Sequence, residues 1–212
     1  MQLTNISART ASGGKKVLSK ADAVALMIVT AIVAVITTFT TTSRLITLST
    51  GPATLTLPLA TANQAPTGLS RGVEAHFTSI EATIPSLPSS EAELLVWGGI
   101  LSQIGVLTVL ALVFLLALRL WRETLFTTGS VWIIGLGGAV LAVAGTIGQL
   151  LDQIARSRLA EAIGANQRIP GEEIIFMGEL PLGPAIAGIA LILIAGVFQF
   201  GGRLQKDTEG LV

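Results

Sequence analysis

Gln149, Asp152, Gln153 and Arg156 recur at i, i+3, i+4 and i+7, which sets two amides, a carboxylate and a guanidinium on one helix face. An ionisable group inside an apolar segment is a functional suspect, because burying charge in hydrocarbon is costly. Asp152 has two readings. Arg156 lies four residues on, the spacing of a helical ion pair, so the row is a structural polar face; alternatively it lines a proton or ion path. Gln103 is the other intramembrane amide, deeper in its segment, and suits an interhelical hydrogen bond. The lone histidine, His76, shares the polar face of a predicted strand with Glu74. Histidine and carboxylates can hold a metal, but no spacing here matches a known site, and both read as solvated surface residues.

The remaining chemistry is thin. There is no cysteine and no tyrosine, so disulfides, thiolate nucleophiles and thiolate metal sites are excluded. No nucleophile elbow, zinc motif or phosphate loop occurs; the "GLGG" at 135–138 lies inside an apolar run. An enzyme is not expected, and neither is a cofactor. A net charge of zero gives no global attraction to nucleic acid.

The elements that carry these residues follow from hydropathy. Of the 212 residues 51% are hydrophobic and 12% charged, with a mean hydropathy of +0.75. Soluble domains carry about twice that charge. Four stretches reach the roughly 20 apolar residues a bilayer requires: 23–48, 94–118, 131–151 and 182–200. The first exceeds a signal-peptide core and is read as an uncleaved, threonine-rich span. The third lacks a breaker until Gly164, so its helix is expected to project to about 164, with Gly164 as the residue just past its end. The expected fold is therefore an all-α membrane protein with four transmembrane helices, joined by a long loop (49–93), a short loop (119–130) and an intermediate loop (152–181).

Lysine and arginine set the orientation. Arg9, Lys15, Lys16, Lys20, Arg119, Arg122, Arg203 and Lys206 crowd the N-terminal tail (1–22), the short loop and the C-terminal tail (201–212). Arg44, Arg71, Arg156, Arg158 and Arg168 are spread over the longer loops and their margins. Both termini are expected in the cytoplasm. The two longer loops then face outward, and both contain β-prone runs. In "ATLTLPLA" Leu55, Leu57 and Leu59 alternate with Thr54, Thr56 and Pro58, the period of a half-buried strand; Pro58 belongs at an edge or a strand end. A second run, 73–84, slips phase between Phe77 and Ile80, which indicates a bulge. A third, 172–177, lies between glycines. A small three-stranded extracytoplasmic sheet from 53–59, 73–84 and 172–177 is expected; a disordered threonine-rich loop is the alternative.

Small residues stripe the third span at Gly138, Ala142, Gly145 and Gly148, and the fourth at Gly183, Ala187, Ala190 and Ala195. Such stripes let backbones approach closely. They serve packing within a four-helix bundle, or association with a second copy.

On the cytoplasmic side, "LRLWRETLFTTGSV" and the terminal "VFQFGGRLQKDTEGLV" resemble segments of a widespread family of small bacterial membrane proteins known only by a domain of unknown function. There a basic segment after the second helix leads to a Pro/Leu-Phe-Thr motif, matched by Leu125, Phe126 and Thr127. The fourth helix exits through a Phe, Gly, Arg-Leu step to an acidic ending, matched by Phe198, Gly201, Arg203, Leu204, Glu209, Gly210, Leu211 and Val212. The family continues past Phe-Thr with asparagine and basic residues, whereas "TGSVW" here enters the next span directly. The resemblance implies a four-helix protein of the bacterial plasma membrane without assigned catalysis. Many members are encoded beside a very small helix-turn-helix regulator, which implies a protein partner at the cytoplasmic face. Arg119, Trp121, Arg122, Phe126, Arg203, Leu204 and Lys206 could present one basic and aromatic surface to it. The alternative is interfacial anchoring, with Trp121 and Trp132 at headgroup depth and the arginines on anionic lipid. The functional expectation is a non-catalytic membrane protein acting through protein partners, as a sensor or a tether for a cytoplasmic regulator. An accessory subunit of a larger membrane complex is the first alternative and a small transporter or channel the second.

Overall fold

A computed structural model describes residues 20–59, 77–122, 128–166 and 182–209. The chain runs α1 (Lys20–Thr50), β1 (Ala53–Pro58), β2 (Ser79–Ile84), α2 (Ser89–Trp121), α3 (Thr128–Val140), a π-helical turn (Leu141–Gly145), α4 (Thr146–Ala162) and α5 (Gly183–Glu209). α3, the π turn and α4 form one continuous rod. Among the described residues four helices are long and apolar enough to cross a membrane: Lys20–Thr50, Ser89–Trp121, Gly129–Ala162 and Gly183–Gly201.

Local chemistry explains the boundaries. Pro88, extended at φ −60° and ψ 144°, precedes the first turn of α2, which carries Glu91 toward the positive end of the helix dipole. α1 tolerates its threonines because their hydroxyls donate to carbonyls one turn back, as Thr30 does to Leu26, Thr38 to Ala34 and Thr50 to Ile46. α4 ends where Gly164 takes φ 76°. The Gly164 N–H then donates to the Glu161 carbonyl and the Ala165 N–H to that of Ala160, a Schellman closure. α5 passes through Gly201 and Gly202 without interruption.

Consecutive spans run antiparallel. Leu45 meets Gly99, Gly145 meets Gly105, and Gly138 meets Gly188. They do not close into the expected four-helix bundle. α1 packs on α2, α2 on α4, and α3 on α5, with no comparable contact between α1 and α5. The helices stand in an open row, and the outer faces of α1 and α5 expose Ile32, Val35, Phe39, Ile189, Leu193 and Val197. Such faces suit lipid.

The π turn explains how one rod serves two neighbours. At about 100° per residue, a regular helix would hold Gly138, Ala142, Gly145 and Gly148 on one side. One extra residue in the turn rotates everything beyond it by about that angle. Gly138 and Ala142 consequently face Gly188 of α5, while Gly148 faces Gly98 and Ser102 of α2, and Gly145 lies between Gly105 and Pro184. The single stripe read from the sequence is two half-stripes. In the fourth span the contact face is Pro184, Gly188 and Ala195, with Gly188 and Ala195 buried; Gly183, Ala187 and Ala190 are exposed.

β1 and β2 pair antiparallel, from Ala53 opposite Ile84 to Pro58 opposite Ser79. The leucine alternation holds: Leu55, Leu57 and Leu59 are buried, whereas Thr54 joins Thr83 by a hydroxyl bond on the exposed face. The sheet packs on the ends of three helices, where Leu55 and Leu57 share a core with Leu48 of α1, Leu95 of α2, and Ala155, Leu159 and Ala160 of α4. Among the described residues the sheet has two strands. The segment 172–177 lies outside them, as do residues 73–76 with Glu74 and His76; Phe77 and Thr78 precede the ladder.

Candidate functional site: a polar cleft beneath the sheet

The rotation at the π turn brings the polar row of α4 against α2 and α1. There Thr41, Arg44, Leu45 and Leu48 of α1, Gly98, Gly99, Ser102, Gln103 and Val106 of α2, Gln149, Asp152 and Gln153 of α4, with Leu95, line a cleft of about 410 Å³. That volume lies in the range of small-molecule sites, roughly 300–1,000 Å³. Glycines make the space. A Cβ on Gly98 would lie 2.9 Å from the Gly148 carbonyl and 3.0 Å from the Asp152 nitrogen. One on Gly148 would lie 2.7 Å from the Ser102 nitrogen. Backbones therefore touch behind the cleft, and side chains are free to project into it.

Gln103 forms the floor. Its amide nitrogen donates to Thr38 at 3.2 Å and Thr37 at 3.4 Å, and its carbonyl accepts from Thr41 at 2.9 Å. The interhelical role expected of Gln103 is present, and the threonine run of α1 supplies its partners. The other polar groups lie nearer the sheet. Arg156 donates Nε to Asp152 at 2.5 Å, a second guanidinium nitrogen to the other carboxylate oxygen at 3.3 Å, and Nη1 to the Thr56 carbonyl at 2.8 Å. The same arginine thus holds the carboxylate and ties β1 to α4. Asn166 adds a bond to the Pro58 carbonyl at 3.2 Å. Arg44 approaches Asp152 from α1 at 3.9 Å, too far for a hydrogen bond. Its side chain is 57% exposed, against 30% for Asp152 and 19% for Arg156. Gln149 brings a buried carbonyl oxygen that has no hydrogen-bond partner among the described residues.

Among the described residues Gln103 is the innermost polar side chain of the lining on α2. α2 meets the rod there through Gly105 against Gly145 and Leu141, then Leu112 against Gly137. Among the described residues the cleft lining reaches no further than Gln103 and Val106 on α2, in the middle of the helix row. Among the described residues no cluster of three metal-ligating side chains occurs.

The opposite end holds part of the expected interaction surface. Arg119 turns inward, donating to buried Ser130 at 2.6 Å and covering Gly129, so it fastens α2 to α3. Trp121 and Arg122 are exposed beside it. Phe126 lies outside the described residues; Arg203, Leu204 and Lys206 fall on the last turns of α5. Sequence reasoning missed Arg44, Gly98, Gly105 and Gly188 as contact residues. The spacing of Gly98 and Gly105 by seven was a visible signal; which face Gly188 presents was not.

Length and apolar composition place this chain in the class of multi-pass helical membrane proteins, here with a two-stranded cap over one end of the helix row. Compared with protein-family models, curated proteins and solved structures, the chain matches none.

Proposed function

We propose that this is a non-catalytic sensor of the bacterial plasma membrane that takes up its signal in the polar cleft and passes it to a protein partner at the other end. The observation that carries this reading is the polar cleft, whose lining reaches only to the middle of the helix row. Polar groups enter the helix row from the sheet end and stop at Gln103, which suits capture of a ligand better than passage of one. The distribution of lysine and arginine supports a cytoplasmic position for both termini and for the 119–130 loop, and an outward position for the sheet. Trp121 and Arg122, together with the 203–212 tail, then form the surface offered to the partner, in keeping with the regulator that the family resemblance implies. A co-purification from mild detergent tests the reading. A cytoplasmic protein should be recovered with the full chain and lost when 203–212 is deleted; recovery of none, or recovery indifferent to the deletion, overturns it.

A further inference from the structure

We infer that the cleft binds an anionic group with a hydrogen-bond donor beside it: a carboxylate or phosphate flanked by a hydroxyl or ammonium. The charges point to the anion. Asp152 is already held by two bonds from Arg156, so one carboxylate faces two guanidinium groups and, among the described residues, the cleft keeps one positive charge in excess. That excess sits on Arg44, whose guanidinium reaches Asp152 only at 3.9 Å and is more than half exposed. A guanidinium with unused donors in a partly desolvated site is suited to two-pronged recognition of carboxylate or phosphate.

A neighbouring donor suits Gln149. Its carbonyl oxygen is buried and accepts nothing from the described residues, an unfavourable state that a donor relieves. Arg44 and Gln149 line the same cleft, as does Ser102. A bare anion satisfies Arg44 alone; a hydroxy acid or a glycerol-bearing phosphate satisfies both. Two sources offer this chemistry, a small soluble organic acid and the headgroup of an anionic phospholipid.

This inference deepens the sensor reading by naming the ligand class of the same cleft. Its test reads binding rather than partner recovery, so either can fail while the other stands. The full chain is placed in nanodiscs of phosphatidylcholine, and its melting midpoint is followed during titration with glycolate or with acetate, which lacks the hydroxyl. Parallel nanodiscs contain phosphatidylglycerol. For a soluble ligand, glycolate raises the midpoint more than acetate; for a lipid ligand, only phosphatidylglycerol does. In either case Arg44→Gln weakens the effect by about tenfold in apparent affinity, as loss of a charge-assisted bond requires. Gln149→Leu removes the advantage of glycolate over acetate, or weakens the phosphatidylglycerol effect. Should Arg44→Gln melt early without ligand, Arg44→Lys, which keeps the charge but not the fork, takes its place and is expected to bind more weakly than the unaltered chain. No shift with any of the three probes, or shifts the same in the Arg44 variant, overturns the inference.

Discussion

The rod formed by α3 and α4 meets α5 on one side and α2 on the other, and the two interfaces use the same small residues to different ends. Against α5 the contact is close and apolar: a Cβ on Gly188 would overlap the Gly138 carbonyl, and one on Gly138 would lie 2.9 Å from Leu191 Cβ. Against α2 the backbones touch just as closely, at Gly98 and Gly148, but the flanking positions carry Ser102, Gln103, Gln149 and Asp152. Close backbone packing alone therefore makes an interface. A site appears only where a third helix, α1, stands off and leaves the polar side chains room.

The sharpest way to break the comparison is at the apolar interface with α5. Gly188→Val places methyl groups into the Gly138 and Ala142 backbone, which cannot yield as a side-chain end would. A loss of about 3 kcal/mol is expected, at the upper end of overpacking costs. Thermal unfolding in detergent measures it, and the cleft's ligand binding should survive wherever the protein stays folded. Removing the latch comes next. Asp152→Ala leaves Arg156, only 19% exposed, without its carboxylate, although the Thr56 carbonyl continues to accept from it. Because water reaches the pair, the expected cost is about 1–2 kcal/mol rather than that of a fully buried ion pair. Amide exchange in β1 should accelerate in Arg156→Ala, which also loses the Thr56 bond, while exchange in α5 is unchanged. Equal acceleration in both would mean that the two interfaces are not independent. The smallest effect is at the floor. Gln103→Leu removes three interhelical bonds to threonines that can turn back to their own helix, so a cost of about 0.6 kcal/mol is expected.

Much of this architecture was legible because the bilayer imposes a length. The four spans follow from apolar runs, the strand of Leu55, Leu57 and Leu59 from a period of two, and the end of α4 from one glycine. What stayed hidden depends on phase or on distance along the chain. The π turn leaves no compositional mark in "LAVAG", yet it moves Gly148 and Asp152 from one neighbour to the other. The bond from Arg156 to Thr56 joins residues 100 apart, which no local pattern announces. Arg119 looked like a surface cation, but the small side chain of Ser130 and the bare backbone of Gly129 draw it inward. The open row also escaped notice, since an apolar face reads alike toward lipid and toward another helix.

The 100 residues between Thr56 and Arg156 set a timetable for biogenesis. The ribosome adds about 5–20 residues per second, so the leucine face of the hairpin waits about 5–20 seconds before α4 is made. In that interval Leu48 and Leu95 can shelter it from one side, while Ala155, Leu159 and Ala160 do not yet exist. The nascent hairpin thus lacks its α4 partners over that interval, and a chain stopped after α2 would leave that part of its leucine face uncovered.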